Sequence, residues 1–543
     1  MNTHLFRRAR RGQDDSGFAM VTVIGIMLVL TLFVVAATTF AVQAIPQSRR
    51  AQDYAAAMAA AQAGVDDVLS RLNSCDTYWS TPCVGSPPEP GRWDGNPSGS
   101  QTNRWAAVPG SAGSMNARYR YTLVSTPATT PGLIRVQVDG EVNGVRRTIT
   151  ADLRKPSFLN YIYYTNFESP SPTQILERRP GFSRAQAQAC AQYYYDVPPA
   201  RRTVRPRYCD INFIGGDVIR GPLYSNDALL LMAYRGQPGP LFQGNTETYW
   251  QQTFNPGADP AAPYRRNYGG VPHPSGRTPV IADKKVDLPA SNNEIRVAAE
   301  TGGCVYEGPT RVQLYRNGTV RVTSPLTSPS SLNPGCSSGG VTPLPPNGVI
   351  FVKASTAACT GKPTAYPLKP ADVTPYDCNA GTAFVEGTLQ GALTLASEHD
   401  IIVTDDLTYN TEAVNPSTGA VNMAATDVMG LVAQGFVRVY NPVDRRGNNL
   451  ARSQVRNMRI DAAVLSVQNS FTVQNYHRGR RLGNLTVAGG IYQNHRGPVG
   501  TSSRPSTGYF KNYLYDTRLR SLPPPHFLNP VGSAWGVAGF SEG

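Results

Sequence analysis

The fold of this chain is decided near its start, by the stretch GFAMVTVIGIMLVLTLFVVAATTFAVQA at residues 17–44. No side chain from Phe18 to Val42 can ionise, and the next charge is Arg49. At a rise of about 1.5 Å per residue, one helix of this length crosses the apolar core of a bilayer. Four arginines precede the stretch, so the positive-inside rule predicts that residues 1–16 stay in the cytoplasm. The sequence therefore predicts a single-pass membrane protein whose bulk is exported.

The apolar stretch differs from a secretory signal peptide in its length and in the residues on either side of it. A signal peptide has a short apolar core that ends at a small-x-small cleavage site. Here helix-compatible sequence continues past Ala41, and the conspicuous small residue, Gly17, comes before the apolar run. A basic leader, Gly17, Phe18 and a long apolar helix, in that order, resemble the prepilin leader of type IV pilins and their relatives. The resemblance implies cleavage by a prepilin peptidase between Gly17 and Phe18; the alternative is a plain signal anchor that is never cleaved.

One position departs from the pattern of major pilins. They carry a glutamate four residues after the new N-terminal residue, where it pairs with a neighbour's terminal amine, and this chain has Thr22 there. A carboxylate among apolar helices is costly unless it is paired, so its loss removes an assembly contact. In this respect the chain resembles the minor, PilX-like pilus assembly proteins. The resemblance implies assembly through one helix, with contacts by Val21, Thr22, Ile24, Leu28 and Leu32.

The helix is expected to continue past the membrane as a stalk. Pro46 should kink or locally break it. Residues 54–63 are nearly all alanine, which favours helix and permits close approach of a partner. An apolar stripe at three- and four-residue spacing then indicates an amphipathic helix with one packed face. The stripe consists of Met58, Ala61, Val65, Val68, Leu69 and Leu72.

Composition indicates a loop-rich, β-rich exported protein. The chain has 543 residues, of which 51 are Gly, 45 are Pro and 27 are Tyr, and only 16% are charged. This length allows a large buried core beyond the stalk. The net charge of +14 comes from scattered basic residues, which favours a solvated basic surface over a nucleic-acid-binding module. The expected partners are a prepilin peptidase, other pilin-like subunits, membrane lipid and a surface polymer, with nucleic acid disfavoured.

All eight cysteines follow the apolar run. An even number of cysteines in an exported chain suggests disulfides, and these fall into couples that are close in sequence. We expect nearest-neighbour pairing, although sequence does not fix the connectivity. No Cys-x-x-Cys pair and no histidine at zinc-finger spacing is present, so no metal role is predicted. The expected couples are Cys75 with Cys83, Cys190 with Cys209, Cys304 with Cys336, and Cys359 with Cys378.

A small antiparallel sheet is predicted for residues 74–156, after a loop. Residues 133–138 and 145–153 alternate as strands do, and Asn143-Gly144 between them is a hairpin signal. We expect this sheet to pack on the stalk helix, which is also the plan of pilin headgroups.

Residues 157–528 are predicted to form an irregular, parallel β-solenoid-like ectodomain. Short apolar runs separated by Gly, Asn and Asp suit solenoid rungs, in which each rung buries few side chains and stacking supplies the core. Ile402, Val432 and Val464 are spaced like successive rungs, and the aromatic segment 508–519 is expected to cap the open end. The alternative is a β-sandwich with long loops.

The predicted fold class is therefore mainly β with a long N-terminal α-helix, a small antiparallel sheet and a solenoid-like ectodomain. The predicted segments are a basic prepilin-like leader (1–17), a transmembrane helix (18–45), an amphipathic stalk helix (46–73), the pilin-like β region (74–156), the disulfide-containing ectodomain (157–528) and a C-terminal tail (529–543).

The acidic residues offer two candidate sites. Asp405 and Asp406 have His399 and Asp400 nearby, but neighbours on a strand point to opposite faces, so a turn between rungs is the expected role. A second group would bind Ca²⁺ only if its members met on one face, and Asx turns are the more ordinary explanation. The members of this second group are Asp210, Asp217 and Asp227.

The sequence contains no nucleophile elbow, phosphate-binding loop or paired-histidine motif, so we expect a non-enzyme without a cofactor. It predicts a pilin-like, membrane-anchored protein that takes part in type IV pilus or pseudopilus assembly, with its N-terminus cytoplasmic and its bulk extracellular, in surface pili, and with an ectodomain used in adhesion. The alternative is an uncleaved single-pass surface protein whose β-solenoid binds or processes cell-wall or extracellular polysaccharide.

Overall fold

A computed structural model describes residues 16–75, 78–79, 105–111, 116–125, 133–155, 157–193, 205–232, 240–249, 264–267, 280–282, 285–361, 365–366, 369–502, 505–531 and 534–542. The chain divides into two compact units. Unit 1 comprises residues 1–126, 133–154 and 536–543, and unit 2 comprises residues 127–132 and 155–535.

The described part of the chain is mainly β, with one long helix at its start. The helices are α1 (Ser16–Ser74), α2 (Pro172–Arg178), α3 (Arg184–Gln188) and α4 (Asn293–Gly302), and short 3-10 turns lie at 158–160, 207–209, 329–331 and 517–520. The strands of unit 1 are β1 (Ala106–Ala107), β2 (Arg118–Ser125), β3 (Ile134–Val142), β4 (Val145–Arg154) and, at the end of the chain, β29 (Gly536–Glu542). The strands of unit 2 are β5 (Tyr163–Phe167), β6 (Phe213–Ile214), β7 (Val218–Arg220), β8 (Leu223–Ser225), β9 (Leu229–Met232), β10 (Leu241–Phe242), β11 (Thr246–Thr248), β12 (Tyr264–Asn267), β13 (Val280–Ile281), β14 (Cys304–Glu307), β15 (Thr310–Tyr315), β16 (Thr319–Thr323), β17 (Val341–Pro343), β18 (Val349–Lys353), β19 (Ala383–Leu389), β20 (Ala392–Ser397), β21 (Ile401–Tyr409), β22 (Val428–Ala433), β23 (Val437–Val439), β24 (Arg459–Ser466), β25 (Phe471–Val473), β26 (Arg481–His495), β27 (Gly500–Thr501) and β28 (Thr507–Tyr515).

α1 is one continuous helix of 59 residues, with Pro46 inside it. Of the kink or local break predicted at Pro46, the break is therefore wrong, and the kink stays a prediction. A proline in a helix removes one backbone donor, and the turns on either side keep their own hydrogen bonds. The coarse prediction of a mainly β protein with a long N-terminal helix is confirmed.

Unit 1 is a five-stranded antiparallel sheet packed on the second half of α1. The strand order is β1-β2-β3-β4-β29, so the segment predicted as a C-terminal tail supplies an edge strand. β3 and β4 are joined at Asn143 (φ 50°) and Gly144 (φ 82°). Two left-handed residues in a two-residue turn match the right-handed twist of a hairpin. The hairpin predicted at this pair is confirmed.

The helix and the sheet of unit 1 meet through small and β-branched side chains. Ala57, Ala60 and Ala61 are 0–2% exposed, and the sheet presents the alternate residues of β3 and β4 to them. At Gly140 of β3 the contact is between backbones, since a Cβ there would lie closer than 3.0 Å to Ala57 O and Ala61 N. Alanine on one side and glycine on the other therefore allow α1 to lie directly on the sheet.

Unit 2 is built mainly from three parallel ladders, to which β16, β17 and β27 add antiparallel pairings. The first has the order β14-β18-β20-β22-β24-β26-β5-β8-β11-β13. The second has the order β15-β19-β21-β23-β25. The third joins the later residues of β21 to the beginning of β24 and continues through β26, β28, β7 and β10. Parallel pairing throughout these ladders is not that of the β-sandwich alternative.

The core of unit 2 consists of columns of apolar side chains in register. Along the first ladder, one column points into a single large apolar cluster, and each member is at most 4% exposed. The neighbouring column faces the opposite way, where Ile295 and Ala299 of α4 join a second cluster. The paired strands of the first ladder thus bury their apolar columns against shared neighbours. The first column contains Cys304, Ile350, Leu395, Leu431, Val464, Ile491, Tyr163 and Leu223.

The order of the strands in the ladders differs from their order in the chain. β5, near the start of unit 2, pairs with β26, near its end, and β7 pairs with β28. β28 therefore lies inside the third ladder, and the prediction that residues 508–519 cap an open end is wrong. Its aromatic side chains serve as core: Tyr513 lies between Val487 and Ile219 and is 2% exposed.

Candidate functional site

The first half of α1 is an uncovered apolar surface. Val21, Ile24, Leu28 and Leu32, four of the residues predicted to mediate assembly, are between 55% and 67% exposed. Thr22, the fifth, lies on the same segment. By length and composition, the part of the helix from Met20 onward is able to cross a membrane. A surface of this size and polarity is expected to be covered by lipid or by other helices.

Threonines within the apolar segment have their hydroxyls satisfied by the helix itself. Thr31 Oγ1 donates to Met27 O at 2.8 Å, and Thr38 Oγ1 donates to Val34 O at 2.8 Å. Backbone carbonyls four residues earlier are the partners that a hydroxyl can reach without water. Thr31 and Thr38 therefore lie in an apolar surrounding without an unmet hydroxyl donor. These contacts were not identified from the sequence.

The predicted processing site, Gly17 and Phe18, lies in the first turn of α1. The basic leader before Ser16 falls outside the described residues. The helix and the disulfides fit a membrane-anchored, exported protein.

Three disulfides are present among the described residues, and each joins a couple that is close in sequence. They are Cys190–Cys209, Cys304–Cys336 and Cys359–Cys378. The fourth couple was predicted between Cys75 and Cys83, and Cys83 lies outside the described residues.

The acidic pair Asp405 and Asp406 lies inside β21, so the predicted turn is wrong. β21 changes ladder at this point: Val403 pairs in the second ladder and Leu407 in the third. Asp406 accepts a hydrogen bond from the backbone N–H of Arg459 at 2.8 Å. The two carboxylates therefore mark the corner at which one long strand passes from one ladder to the next.

The three aspartates considered for Ca²⁺ do not form one metal site, although Asp210 and Asp227 both interact with Arg205. Asp217 pairs with Lys511 Nζ at 2.5 Å, and Asp227 pairs with Arg205 Nη1 at 2.5 Å. Asp217 also accepts the backbone N–H of Ile214, and Asp227 accepts that of Ala228, so neither of these contacts is the bond of an Asx turn, which joins a side chain to the N–H two residues later. Burial raises the pKa of Asp210 to about 6, although Arg205 and Arg207 oppose the shift. The described residues therefore contain no cluster of three acidic, histidine or cysteine ligands that could hold a metal ion.

A buried ion pair joins residues from near the two ends of unit 2. Glu168 follows β5, and Arg496 follows β26; Arg496 Nη1 donates to Glu168 Oε2 at 2.8 Å, and both side chains are at most 1% exposed. The guanidinium also lies 3.5 Å from the centre of the Phe213 ring. A buried charge requires such partners. The pair was missed in the sequence because its members are 328 residues apart.

His399 and Asp400 line a groove on the outer side of the second ladder. The cavity measures about 240 Å³, and Arg438 lies across it. Arg438 binds Asp400 through Nε at 2.8 Å and Glu177 through both terminal nitrogens, at 2.8 and 3.0 Å. Burial lowers the pKa of Arg438, but the two carboxylates outweigh it and the net shift is upward. Arg438 thus holds both carboxylates as an ion-paired cluster.

No family model matches this chain, and no curated protein matches it. Among solved structures, it is similar to the competence-associated pilin ComZ from Thermus thermophilus. The sequences are 13% identical, the TM-score is 0.26, and the alignment covers 90% of this chain and 97% of that chain. A TM-score this low does not establish a shared fold. The comparisons do not support the narrower resemblance to PilX-like proteins.

Proposed function

We propose that this chain is a pilin-like, membrane-anchored subunit that takes part in assembly of a type IV pilus or pseudopilus. One observation carries the proposal: α1 has an uncovered apolar half and an alanine-rich half that packs on an antiparallel sheet. A helix anchored in its own headgroup can move from lipid to a bundle of like helices without unfolding. The exposed apolar half then exchanges one apolar surrounding for another.

Assembly would follow removal of residues 1–17 by a prepilin peptidase. Val21, Ile24, Leu28 and Leu32 would contact other pilin-like subunits. Thr22 offers no charge to a neighbour's terminal amine, so these contacts would be apolar packing. This is the behaviour expected of a minor, PilX-like subunit placed among others.

We further propose that unit 2 is an irregular parallel β-solenoid that projects from the membrane or fibre and acts in adhesion. Parallel ladders with apolar columns in register support the solenoid. Binding is supported by the groove of the second ladder, in which Arg438 pairs with Asp400 and Glu177, two of the three carboxylates in the lining.

The second candidate is an uncleaved surface protein whose solenoid binds or processes polysaccharide. The groove supports polysaccharide binding in this candidate equally, because the groove does not depend on whether the leader is removed. The two candidates differ only in processing and assembly.

Processing is tested by expressing the full chain with a prepilin peptidase and comparing Gly17→Ala with Gly25→Ala. Gly25 is a matched control because a Cβ there meets nothing within 4 Å. We expect the parent and Gly25→Ala to lose residues 1–17 and Gly17→Ala to keep them. If Gly17→Ala loses residues 1–17 as the parent does, the predicted cleavage site is refuted. If the parent keeps these residues, the uncleaved anchor is favoured.

A further inference from the structure

Two neighbouring loops of unit 2 are rich in arginine. The first loop, residues 440–458, follows β23, and the second, residues 474–480, follows β25. Because β23 and β25 are paired in parallel, the segments that leave them start side by side at one edge of the second ladder. We call the arginines of these loops the arginine patch. They are Arg445, Arg446, Arg452 and Arg456 on the first loop and Arg478 and Arg480 on the second.

The two loops are in direct contact where their arginines lie. The backbone N–H of Arg480 donates to Asn449 Oδ1 at 2.9 Å. A Cβ added to Gly447 would lie 3.8 Å from Arg478 Cβ and 3.9 Å from its Cδ, so Arg478 lies against the backbone that follows Arg446. Arginines that are separate in the sequence therefore adjoin on one surface of the folded protein.

The arginine patch has little negative charge to balance it. Five of its members are exposed and Arg478 is half-buried, and none of the six forms an ion pair with a described residue. The one acidic residue in the sequence of the two loops is Asp444. Hydrogen bonds from Asn448 lower the pKa of Asp444, and the charge of Arg446 adds to that shift. One carboxylate among six guanidinium groups leaves a positive surface potential.

This arrangement suits a ligand with repeated negative charges. Guanidinium groups held on adjoining loops repel one another, and a bound anion offsets that repulsion. Arginine also recognises a carboxylate by paired hydrogen bonds. Since the charges are spread over two loops, a polymer can contact several of them at once, whereas a small anion reaches only one or two.

Two other classes of polyanion fit the arginine patch less well. A membrane surface is met by apolar side chains as well as by cations, and none of the exposed large apolar side chains of the described residues lies on these loops. Single-stranded nucleic acid stacks its bases on aromatic side chains, but the tyrosines of the loops, Tyr440 and Tyr476, are at most 7% exposed. The exposed residues between the arginines include Asn448, Ser453 and Asn457, whose polar groups suit the hydroxyls of a sugar chain.

We propose that the arginine patch binds an acidic polysaccharide, a sugar polymer that carries carboxylates at regular intervals. The carboxylates lie against guanidinium groups of both loops, and the sugar hydroxyls meet the polar side chains between them. The proposal rests on the adhesive role proposed for unit 2, for which it names the class of polymer. It is independent of cleavage after Gly17.

Binding is tested on the full chain in detergent by titration calorimetry. The probes are an oligogalacturonate, a neutral galactan oligomer of equal length, and a duplex DNA oligonucleotide with the same number of charges. We expect saturable binding of oligogalacturonate that weakens as salt is added, because salt screens exposed charges. Galactan should show no saturable binding, and the DNA should bind more weakly than the oligogalacturonate.

Two double variants locate the site. One combines Arg445→Gln with Arg446→Gln, and the other combines Arg478→Gln with Arg480→Gln. Each removes two positive charges from one loop. Each should weaken oligogalacturonate binding about tenfold, the loss expected for two exposed charge pairs.

The matched control combines Arg316→Gln with Arg321→Gln. Both arginines are exposed and form no ion pair with a described residue. They lie on the hairpin of β15 and β16, at the end of the second ladder opposite to β25. This variant loses the same charge as the others and should bind oligogalacturonate as the parent does.

The melting temperature of each variant separates loss of binding from loss of the fold. Because the arginines of the patch repel one another, neither patch variant should melt below the parent, and a lower melting temperature would contradict that repulsion. Equal weakening in the control would show that binding follows net charge, and it would overturn the proposal. DNA binding as tight as that of oligogalacturonate, or no saccharide binding by the parent, would also overturn it.

The outcomes also separate this proposal from the proposed function. Saccharide binding that persists unchanged in both patch variants would overturn the arginine patch as the site and leave the adhesive role of unit 2 in place. Processing at Gly17 is read from the mass of the chain, so it stands or falls separately.

Discussion

Gly140→Ala is expected to separate α1 from the sheet of unit 1. The added Cβ would lie closer than 3.0 Å to Ala57 O and Ala61 N, and 3.0 Å from Ala60 C. All three obstacles are backbone atoms of a helix, so no side-chain rotation relieves the overlap. Either α1 or β3 must move, and the buried alanines then lose contact with the sheet.

The loss of stability in Gly140→Ala can be estimated from the backbone atoms that the new Cβ would meet. Adding a methylene to a packed core costs about 1–3 kcal/mol. Because both β3 and α1 present rigid backbone here, we expect a cost at the upper end of this range, about 3 kcal/mol. Because each 1.4 kcal/mol is a factor of ten, protection of β3 and β4 amides that exchange through opening of unit 1 should fall by about 100-fold.

Hydrogen exchange measured by mass spectrometry on the full chain resolves the effect by segment. Peptides from β3, β4 and the second half of α1 should exchange faster, and peptides from unit 2 should not change. Gly539→Ala is the matched control: Gly539 lies in β29 of the same sheet, and a Cβ there meets nothing within 4 Å. Equal protection in the two variants would refute the backbone contact between α1 and β3.

Two further predictions concern buried ionisable groups of unit 2. Burial lowers the pKa of His495 to about 3, so the unfolded chain binds the proton first and stability is lost as pH falls below about 6.5. Between pH 7.5 and pH 5 this group should remove about 2 kcal/mol from the free energy of unfolding, and His495→Gln should abolish that part of the slope in urea titrations. Glu168→Gln leaves Arg496 buried without its counter-charge and should cost about 3–5 kcal/mol, measured by the same titrations at pH 7.5.

The two predictions can each be contradicted by experiment. If the free energy of unfolding depends on pH in His495→Gln as it does in the parent, His495 is not the buried neutral group described. For Glu168, the comparison is Glu141→Gln, which breaks contacts with Arg118 and Arg146 at a more exposed site and should cost about 1 kcal/mol or less. Similar losses in the two glutamate variants would contradict the importance of burial.

The features that could be predicted from the sequence depend on neighbouring residues. The long helix follows from one uninterrupted apolar run, and the hairpin follows from two residues that tolerate left-handed backbone. The disulfides at Cys190, Cys304 and Cys359 each close a short loop to a partner within 32 residues. Signals of this kind depend on residues that are close in sequence, so they can be recognised without knowing how the rest of the chain folds.

The order of the strands in the ladders could not be predicted from the sequence. Short apolar runs of similar composition do not specify the strand with which each one pairs. Val432 pairs with Leu465, one residue from the expected Val464, and Ile402 belongs to a different ladder altogether. Pairing of β5 with β26 joins residues more than 300 apart, as the 328-residue separation of Glu168 and Arg496 shows. Such contacts depend on the folding of unit 2 as a whole and not on residues that are close in sequence.

The groove was likewise invisible in the sequence, except for His399 and Asp400. Its floor comes from three strands, and Gln174 reaches it from a helix more than 200 residues earlier in the chain. Arg438 lies in no sequence motif that distinguishes it from the other arginines. Only the pairing of β19, β21 and β23 in the folded protein brings these side chains to one surface.

The central claim is that α1 belongs to a processed, pilin-like subunit. The measurement that tests it most directly is mass spectrometry of the N-terminus of the protein recovered from membranes and from sheared surface fibres. The account predicts a chain that begins at Phe18 in both fractions. A chain that begins at Met1 and is absent from the fibres would contradict it.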